Sequence, residues 1–194
     1  PPIQWQKIIE QEIDHGNQRI QKEIGNTVTA FAYPYGEFNS AIKQMVKQRG
    51  LYGLAQHSGA VGLLTDMQAI PRYPLAQGYA SIDRFKLITN SKALPVLKAS
   101  AGKIVRIAGD ATGNLILHLQ KGDYQINHLA CYSAAGNKLP TTQSDLTVTI
   151  KLPNFTPGRN KVNCTAPSAS QPNVYYWFSQ LWIAKTAQGL WPAE

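Results

Sequence analysis

The chain has no apolar run that approaches the roughly 20 residues a membrane-spanning helix needs. It also has no block of consecutive Lys or Arg, because its basic residues are scattered singly. Charged residues make up only 15% of the sequence and hydrophobic residues 43%, which excludes a disordered polymer and indicates a globular protein. At 194 residues the chain suits one large domain or two small ones.

The charge of the chain is uneven. The formal net charge is +8, with +2 in residues 1–90 and +6 in residues 91–194. Such a balance can favour a nucleic acid, an anionic membrane surface or an acidic polymer as partner, and the absence of a basic block argues against nucleic acid. A solvated basic surface is the plainer interpretation, and we favour it.

Cysteine is scarce: Cys131 and Cys164 are the only two, and both lie in strand-like runs. A pair in a β-rich region predicts a disulfide and an oxidising compartment, and two buried free thiols are the alternative. The sequence begins Pro1-Pro2, with no initiator Met and no signal peptide. We therefore expect a mature, processed or truncated product.

Residues 1–90 alternate helix-like and strand-like segments. Apolar residues at spacings of 4, 4, 7 and 4 predict one face of a long helix that ends at Gly25. These residues are Trp5, Ile9, Ile13, Ile20 and Ile24. Asn39 or Ser40 can cap a second helix that stops at Gly50.

The predicted strands of this half are residues 27–33, 51–55 and 68–73. Strand–helix–strand order predicts parallel pairing in an α/β layer or barrel. Three strands cannot close a barrel, and a parallel sheet is covered on both faces. Residues 1–90 are therefore expected to be part of a larger α/β domain, with an apolar face that a missing N-terminal segment or a second copy covers.

Residues 91–194 carry short β-rich runs separated by turn clusters, which predicts an antiparallel sandwich. We expect a linker at residues 89–95 and two domains, residues 1–90 and residues 91–194. The aromatic cluster 175–178 alternates along one run, so one of its faces must be core. The other face is either a sugar-stacking platform or a surface buried against the first domain, and we favour burial.

The segment Phe31-Ala32-Tyr33-Pro34-Tyr35-Gly36-Glu37 resembles the third motif of the polysaccharide deacetylase family, in the branch that acts on N-acetylglucosamine polymers. Residues 56–59 and 70–74 resemble the two segments that follow it. The resemblance covers residues 5–86, and a weaker one covers the second half, similar to β-modules appended to some deacetylases. It implies the C-terminal part of a distorted (β/α) barrel, followed by an accessory, Ig-like antiparallel β-sandwich.

The resemblance also implies a metal-dependent amide hydrolase. In the family an Asp and two His bind a divalent metal, usually zinc, and a neighbouring Asp acts as base. Those residues belong to two N-terminal motifs that this sequence lacks, since no Asp is doubled and no His-x-x-x-His spacing occurs. The metal ligands are therefore expected outside this chain, which alone is expected to be inactive.

Seven residues carry the expected site. By resemblance, the backbone N–H of Tyr35 stabilises the oxyanion of the tetrahedral intermediate. We expect Arg72 to orient a carboxylate or a sugar hydroxyl, with a surface ion pair as the alternative. His57 is the only histidine expected on the cleft side, and a loop histidine without a chemical role is the plainer interpretation. The expected substrate-binding residues are Tyr33, Pro34, Gln56 and Ser58. Phe38 is predicted to be core.

The function that we expect is part of an exported, periplasmic or secreted, polysaccharide N-deacetylase. It would hydrolyse acetamido groups of N-acetylglucosamine-type polymers. The alternatives are a non-catalytic carbohydrate-binding protein and a basic protein bound to an anionic envelope polymer. Neither a nucleic acid nor a transmembrane segment is expected.

Overall fold

The computed structural model describes residues 2–109 and 113–192. It is a mixed α/β protein with mostly β content in several sheets, and the described residues form no barrel. Contacts divide the chain into a first unit, residues 1–56 with 66–70, and a second unit, residues 57–65 with 71–194. The domain boundary expected between residues 90 and 91 stays a prediction.

The first unit opens with the long helix that its apolar spacing predicts. Helix α1 spans Pro2–Ile24, and the amide of Gly25 donates to the Gln21 carbonyl at 2.9 Å. Gly25 has a φ of +72°, the left-handed conformation in which helices commonly end. Helix α2 spans Ser40–Gln48, and the Asn39 side chain accepts the Ile42 amide at its N-terminus.

Two short parallel strands lie beside these helices. Strand β1 spans Ala30–Ala32 and pairs with β2, Tyr52–Leu54, with Phe31 opposite Gly53. The third predicted strand, residues 68–73, is reduced to a single parallel bridge between Leu54 and Ile70. Within the described residues, β2 is the only strand that pairs with β1.

The core of the first unit is small. Its buried hydrophobic residues are Ile13, Tyr33, Phe38, Met45, Val46, Leu51 and Ala55. A bidentate ion pair joins α1 to the end of α2: Arg49 Nε and Nη2 lie 2.6 Å and 2.8 Å from the two carboxylate oxygens of Asp14. Four large apolar side chains of α1 remain exposed, those of Trp5, Ile8, Ile20 and Ile24.

The second unit begins with loops and a helix that the sequence pattern did not predict. Helix α3 spans Ile82–Thr89, and the Ser81 hydroxyl accepts the Arg84 amide at its N-terminus. Strand β3, Lys92–Ala93, occupies the middle of the expected linker and pairs with the last strand of the chain. None of the described helices combines the length and the apolar character that a membrane span requires.

Two sheets make up the rest of the unit. The remaining strands are β4 Val96–Ser100, β5 Val105–Ile107, β6 Asn114–Leu119, β7 Ala130–Ser133, β8 Thr141–Ser144, β9 Thr147–Lys151, β10 Gly158–Pro167 and β11 Tyr175–Lys185. One sheet has the order β3-β11-β10-β7, with β5 also paired to β11, and the other has the order β4-β6-β9-β8. Pairing is antiparallel except where β3 and β5 run parallel to β11.

Both sheets contribute to one hydrophobic core. Leu115 and Leu117 come from β6, Ile150 from β9 and Trp182 from β11, and all four are fully buried. The Trp182 indole stacks at 5.3 Å from Phe155 and donates its N–H to the Ala101 carbonyl at 2.9 Å. A buried tryptophan needs a hydrogen-bond acceptor for its indole N–H, and the Ala101 carbonyl is that acceptor here.

The predicted disulfide is present. Cys131 on β7 lies directly opposite Cys164 on β10, and their sulfurs are bonded. Both residues are fully buried within the core. The expectation of a covalent link between the two cysteines is confirmed, and the alternative of two free thiols is wrong.

Strand β11 buries side chains on both of its faces. Tyr176 and Phe178 pack against the two-sheet core. Trp177 and Ser179, on the opposite face, contact Tyr73 and Ser58. The interpretation that both faces of this aromatic run are covered is therefore confirmed for these residues, and the described structure does not present them as an open sugar-stacking platform.

Candidate functional site

The chain makes a tight turn where β1 ends. Residues Pro34–Gly36 form a single 3-10 turn, in which the Gly36 amide donates to the Tyr33 carbonyl at 2.8 Å. Tyr35 has a φ of 55°, a left-handed conformation that is uncommon for a residue with a side chain. Pro34 favours the start of such a turn because its ring fixes φ. The turn therefore holds Tyr35 in a strained, defined conformation with its side chain 57% exposed.

Gln56 lies directly against this turn. A β-carbon added to Gly36 would lie 2.5 Å from Cβ of Gln56, closer than real atoms approach. Gly36 also has a φ of +71°, so both the space and the backbone conformation require glycine there. The structure thus brings the Tyr35 turn together with Gln56, which follows β2 and is itself exposed.

Tyr33 supports the turn from inside the first unit. Its side chain is 1% exposed, and its hydroxyl donates to the Gln68 carbonyl at 2.8 Å. Burial, with a smaller contribution from the Asp66 carboxylate, raises the pKa of Tyr33 to about 12. The ring packs edge-on to Phe31 at 5.6 Å and against Phe38 at 4.7 Å.

The Tyr33 ring is buried, and a role in stacking on a sugar does not fit this placement. The Tyr33 hydroxyl can be buried because it donates a hydrogen bond to the Gln68 carbonyl, 35 residues away in sequence. Phe38, predicted to be core, is buried.

The other expected residues belong to the second unit. The Arg72 amide donates to the His57 carbonyl at 2.9 Å, which places these two residues side by side. Both are half-buried. Ser58 is 7% exposed, and its carbonyl accepts a hydrogen bond from the Ser179 hydroxyl. The expected substrate-contacting side chain of Ser58 thus lies within the protein rather than on its surface.

The site residues therefore form two groups, one in each unit. In the first unit, Pro34 and Tyr35 belong to the turn and Gln56 lies beside it. In the second unit, His57 and Arg72 lie side by side. Sequence patterns did not reveal the roles of Gln68 and Ser179, because each meets its partner only through the tertiary fold.

The described residues do not fit a zinc site. Residues 2–109 and 113–192 contain no group of three or more His, Cys, Asp or Glu that could hold a metal ion. The Asp66 carboxylate pairs with Lys43 and accepts a hydrogen bond from the Gln68 backbone amide.

Comparison with known families gives a match over the first part of the chain. Residues 4–54 match the family described as "Polysaccharide deacetylase". This segment includes α1, β1, the Tyr35 turn, α2 and β2, and it ends before Gln56, His57 and Arg72. It covers about a quarter of the chain.

No curated protein matches the chain. Among solved structures, the crystal structure of CopC from Methylosinus trichosporium OB3b is similar, with a TM-score of 0.35 and 12% sequence identity. The similarity covers 48% of this chain and 94% of that one. At that TM-score it supports no inference. The family match supports a polysaccharide-deacetylase-like origin for the first part of the chain.

Proposed function

We propose that this chain is part of a metal-dependent polysaccharide N-deacetylase that hydrolyses acetamido groups of N-acetylglucosamine-type polymers. The observation that carries the proposal is the strained turn at Tyr35. It lies at the carboxyl end of a parallel strand, where α/β folds place their sites, and within the segment that matches the family. Residues 1–90 would be the C-terminal part of a distorted (β/α) barrel, and residues 91–194 an accessory, Ig-like β-sandwich.

In this proposal the Tyr35 backbone N–H donates a hydrogen bond to the oxyanion that forms as the acetamido carbonyl becomes tetrahedral. A donor fixed before reaction is effective because no reorganisation accompanies the charge that develops. The Tyr35 hydroxyl has no part in this step. Gln56, beside the turn, would orient the sugar, and the metal, zinc in this proposal, would be held by residues outside this chain.

The short sheet and the exposed helix of the first unit support the proposal of a further polypeptide. Strand β1 pairs only with β2 within the described residues, and the helix that precedes it leaves four large apolar side chains exposed. Parallel sheets are normally covered on both faces, and an unprotected edge strand can pair with a further strand. We propose that a segment of the same deacetylase fold, rather than a second copy of this chain, adds a parallel strand beside β1.

The buried disulfide supports an oxidising compartment, so we propose a periplasmic or secreted location. Thiol labelling of the protein in intact cells and in denatured extracts tests this. No labelling in the denatured, unreduced sample is expected, and labelling of Cys131 and Cys164 there would contradict the proposed compartment.

The test of the proposed function is acetate release from N-acetylglucosamine oligomers. The protein assayed is the full polypeptide that the gene encodes around these residues, in the presence of Zn²⁺. Acetate release by that polypeptide supports the proposal. Binding of the oligomers without acetate release would instead support the non-catalytic carbohydrate-binding alternative.

Substitutions at the turn test the role of Tyr35 within that assay. Gly36→Ala places a methyl group against Gln56 and strains the turn, so we expect kcat/KM to fall by on the order of a hundredfold, comparable to the loss of one oxyanion donor. Gly50→Ala is the matched control, since Gly50 has a φ of +67° but nothing within 4 Å of the added carbon. Tyr35→Phe should leave kcat/KM near the wild-type value, and a large loss would show that the hydroxyl acts instead.

A further inference from the structure

Ser179 of β11 makes an unusually complete set of contacts for a serine on a sheet. It is 8% exposed, accepts the Trp177 indole N–H at 3.0 Å and donates to the Ser58 carbonyl. Asn163, directly opposite on β10, places its amide oxygen 2.7 Å from the same hydroxyl. A hydroxyl has one proton, so Ser58 and Asn163 compete for it unless the Asn163 amide turns its nitrogen toward Ser179.

The loop of residues 57–62 lies against this face of the sheet. A β-carbon on Gly62 would lie 2.8 Å from Cβ of Ala93 on β3, so the loop backbone passes as close as glycine allows. Gly59 packs near Pro71, and the Trp177 ring lies within 4 Å of its β-carbon position. The loop therefore lies directly on strands β3 and β11.

Residues 71–73 join the same arrangement. The Tyr73 ring meets Trp177 edge to face at 5.5 Å, and its hydroxyl lies 2.8 Å from the Ser91 hydroxyl. Burial raises the pKa of the Tyr73 hydroxyl above its ordinary value. The Arg72 amide bonds to the His57 carbonyl. The backbone on both sides of the His57–Arg72 pair is thus held to β11 through Trp177 and Ser179.

We propose that Ser179 is a positioning residue that holds the His57–Arg72 pair in place from the β-sheet. Its Ser58 contact fixes the residue next to His57, and its Trp177 contact fixes the ring that packs on Tyr73, next to Arg72. Within the second unit, strand β11 then supports the His57–Arg72 pair. An effect of Ser179 on catalysis rests on the proposed function, whereas its structural role in holding the His57–Arg72 pair does not.

A pair of isosteric substitutions tests the role of the hydroxyl. Ser179→Thr keeps the hydroxyl, and Ser179→Val replaces it with a methyl group of the same shape, so both variants carry the same added bulk. Hydrogen exchange of the full chain is measured by mass spectrometry. The reporters are the Arg72 amide, which bonds to His57, and the Gly62 amide, which bonds to Thr65.

We expect exchange at these two amides to be about three- to tenfold faster in Ser179→Val than in Ser179→Thr, because the hydrogen bond from the hydroxyl to the Ser58 carbonyl is lost together with its contacts to Trp177 and Asn163. Amides of β6 and β9, in the other sheet, should exchange equally in the two variants. Ser168→Ala is the matched control: it removes another buried serine hydroxyl of this unit, bonded to Asp123, and should leave the reporters unchanged. If the added methyl group prevents folding, Ser179→Ala is compared with wild type.

Equal exchange at Arg72 and Gly62 in the Thr and Val variants would overturn the proposal. Acceleration of equal size in β6 and β9 would also overturn it, because Ser179 would then contribute only general stability. Acetate release plays no part in these outcomes. A loosened loop in a protein without deacetylase activity would leave the positioning role intact and reject the proposed function alone.

Within an active polypeptide, the proposal makes a second, kinetic prediction. Ser179→Val should lower kcat with little change in KM, and Ser179→Thr should restore kcat. Failure of the Thr variant to restore kcat, with its loop exchange at the wild-type rate, would reject a catalytic consequence of the positioning.

Discussion

The two halves of the chain differ in how many of their apolar residues are buried. Among the described residues, 2–90 contain seven buried hydrophobic residues and 15 large hydrophobic side chains that are exposed. Residues 91–192, as far as they are described, contain 19 buried hydrophobic residues and six exposed large ones. Because apolar burial is the main favourable contribution to folding, the core of the second half contributes more to stability than the small core of the first half.

This difference in apolar burial explains why the fold of the second half can be interpreted from its own residues. Two sheets close around Trp182, Leu115 and Ile150, and a disulfide joins two strands within that core. In the first half, the Tyr35 turn, which matters most for the proposed chemistry, follows one strand of a single parallel pair. Seven buried hydrophobic residues form the core among the described residues of this half. In the proposed enzyme, further polypeptide would add to this small core and hold the turn rigid.

The largest expected effect comes from substituting a tryptophan in each half. Trp182→Ala removes a fully buried ring and should lower the free energy of unfolding by about 3–5 kcal/mol. Trp5→Ala, at a side chain that is 36% exposed, should cost less than about 1 kcal/mol. Urea unfolding followed by circular dichroism measures both. A cost at Trp5 as large as that at Trp182 would show that α1 is already engaged in a core.

Removal of the disulfide should weaken the second half selectively. The bond joins residues 33 apart in sequence, and Cys131→Ala with Cys164→Ala should lower the free energy of unfolding by about 2–4 kcal/mol. Hydrogen exchange in β10 and β11 should rise, whereas exchange in α1 and α2 should not. Wild type in reductant is the control, and equal stability of the double variant and the oxidised protein would contradict the prediction.

Tyr33 tests how well the small core of the first half is formed. Tyr33→Phe leaves the Gln68 carbonyl without its donor and should cost about 1–2 kcal/mol. Since the folded pKa is about 12 and the ordinary value is 10.0, the stabilisation is fully present below pH 10 and is lost as the pH rises toward 12. Tyrosinate absorbance of wild type minus Tyr33→Phe should titrate near pH 12. A difference titrating near pH 10 would show that the ring is open to water.

The smallest effect is expected at the Asp14–Arg49 ion pair. Hydrogen bonds from the Arg49 guanidinium hold the pKa of Asp14 below its ordinary value of 3.8. The stabilisation is therefore present above about pH 4 and is lost as the pH falls through the lowered pKa. Asp14→Asn should cost less than about 1 kcal/mol at pH 7, because the carboxylate is half exposed, and the cost should be smaller at pH 2. Thermal unfolding at both pH values checks this, and a cost of equal size at pH 2 would exclude the ionic contribution.

Local signals predicted much of the fold. The apolar spacing and Gly25 marked α1, Asn39 marked the start of α2, and the two cysteines marked the disulfide. Each of these depends on residues near one another in sequence or on the chemistry of one residue type. Helix α3 was missed because it buries no residue, so its apolar residues show no clear face.

Non-local contacts limited what could be predicted of the site. The turn at Tyr35 could be anticipated from Pro34 and Gly36, which are local conformational signals. The burial of Tyr33 could not, since the Gln68 carbonyl that accepts its hydroxyl is brought near only by the crossover from β2 to residue 70. The contact between Ser58 and Ser179, 121 residues apart, is a sharper instance, because no local pattern relates them.

Native-state hydrogen exchange of the single chain tests the contrast between the halves most directly. If the first half lacks part of its core, amides of β1 and β2 should exchange through small local openings, while β6, β9, β10 and β11 exchange only through global unfolding. The amides of β1 should gain protection in a polypeptide that supplies the adjoining strand. Equal protection of β1, β2 and β10 in the single chain would show that the first half is self-contained, and would contradict the account.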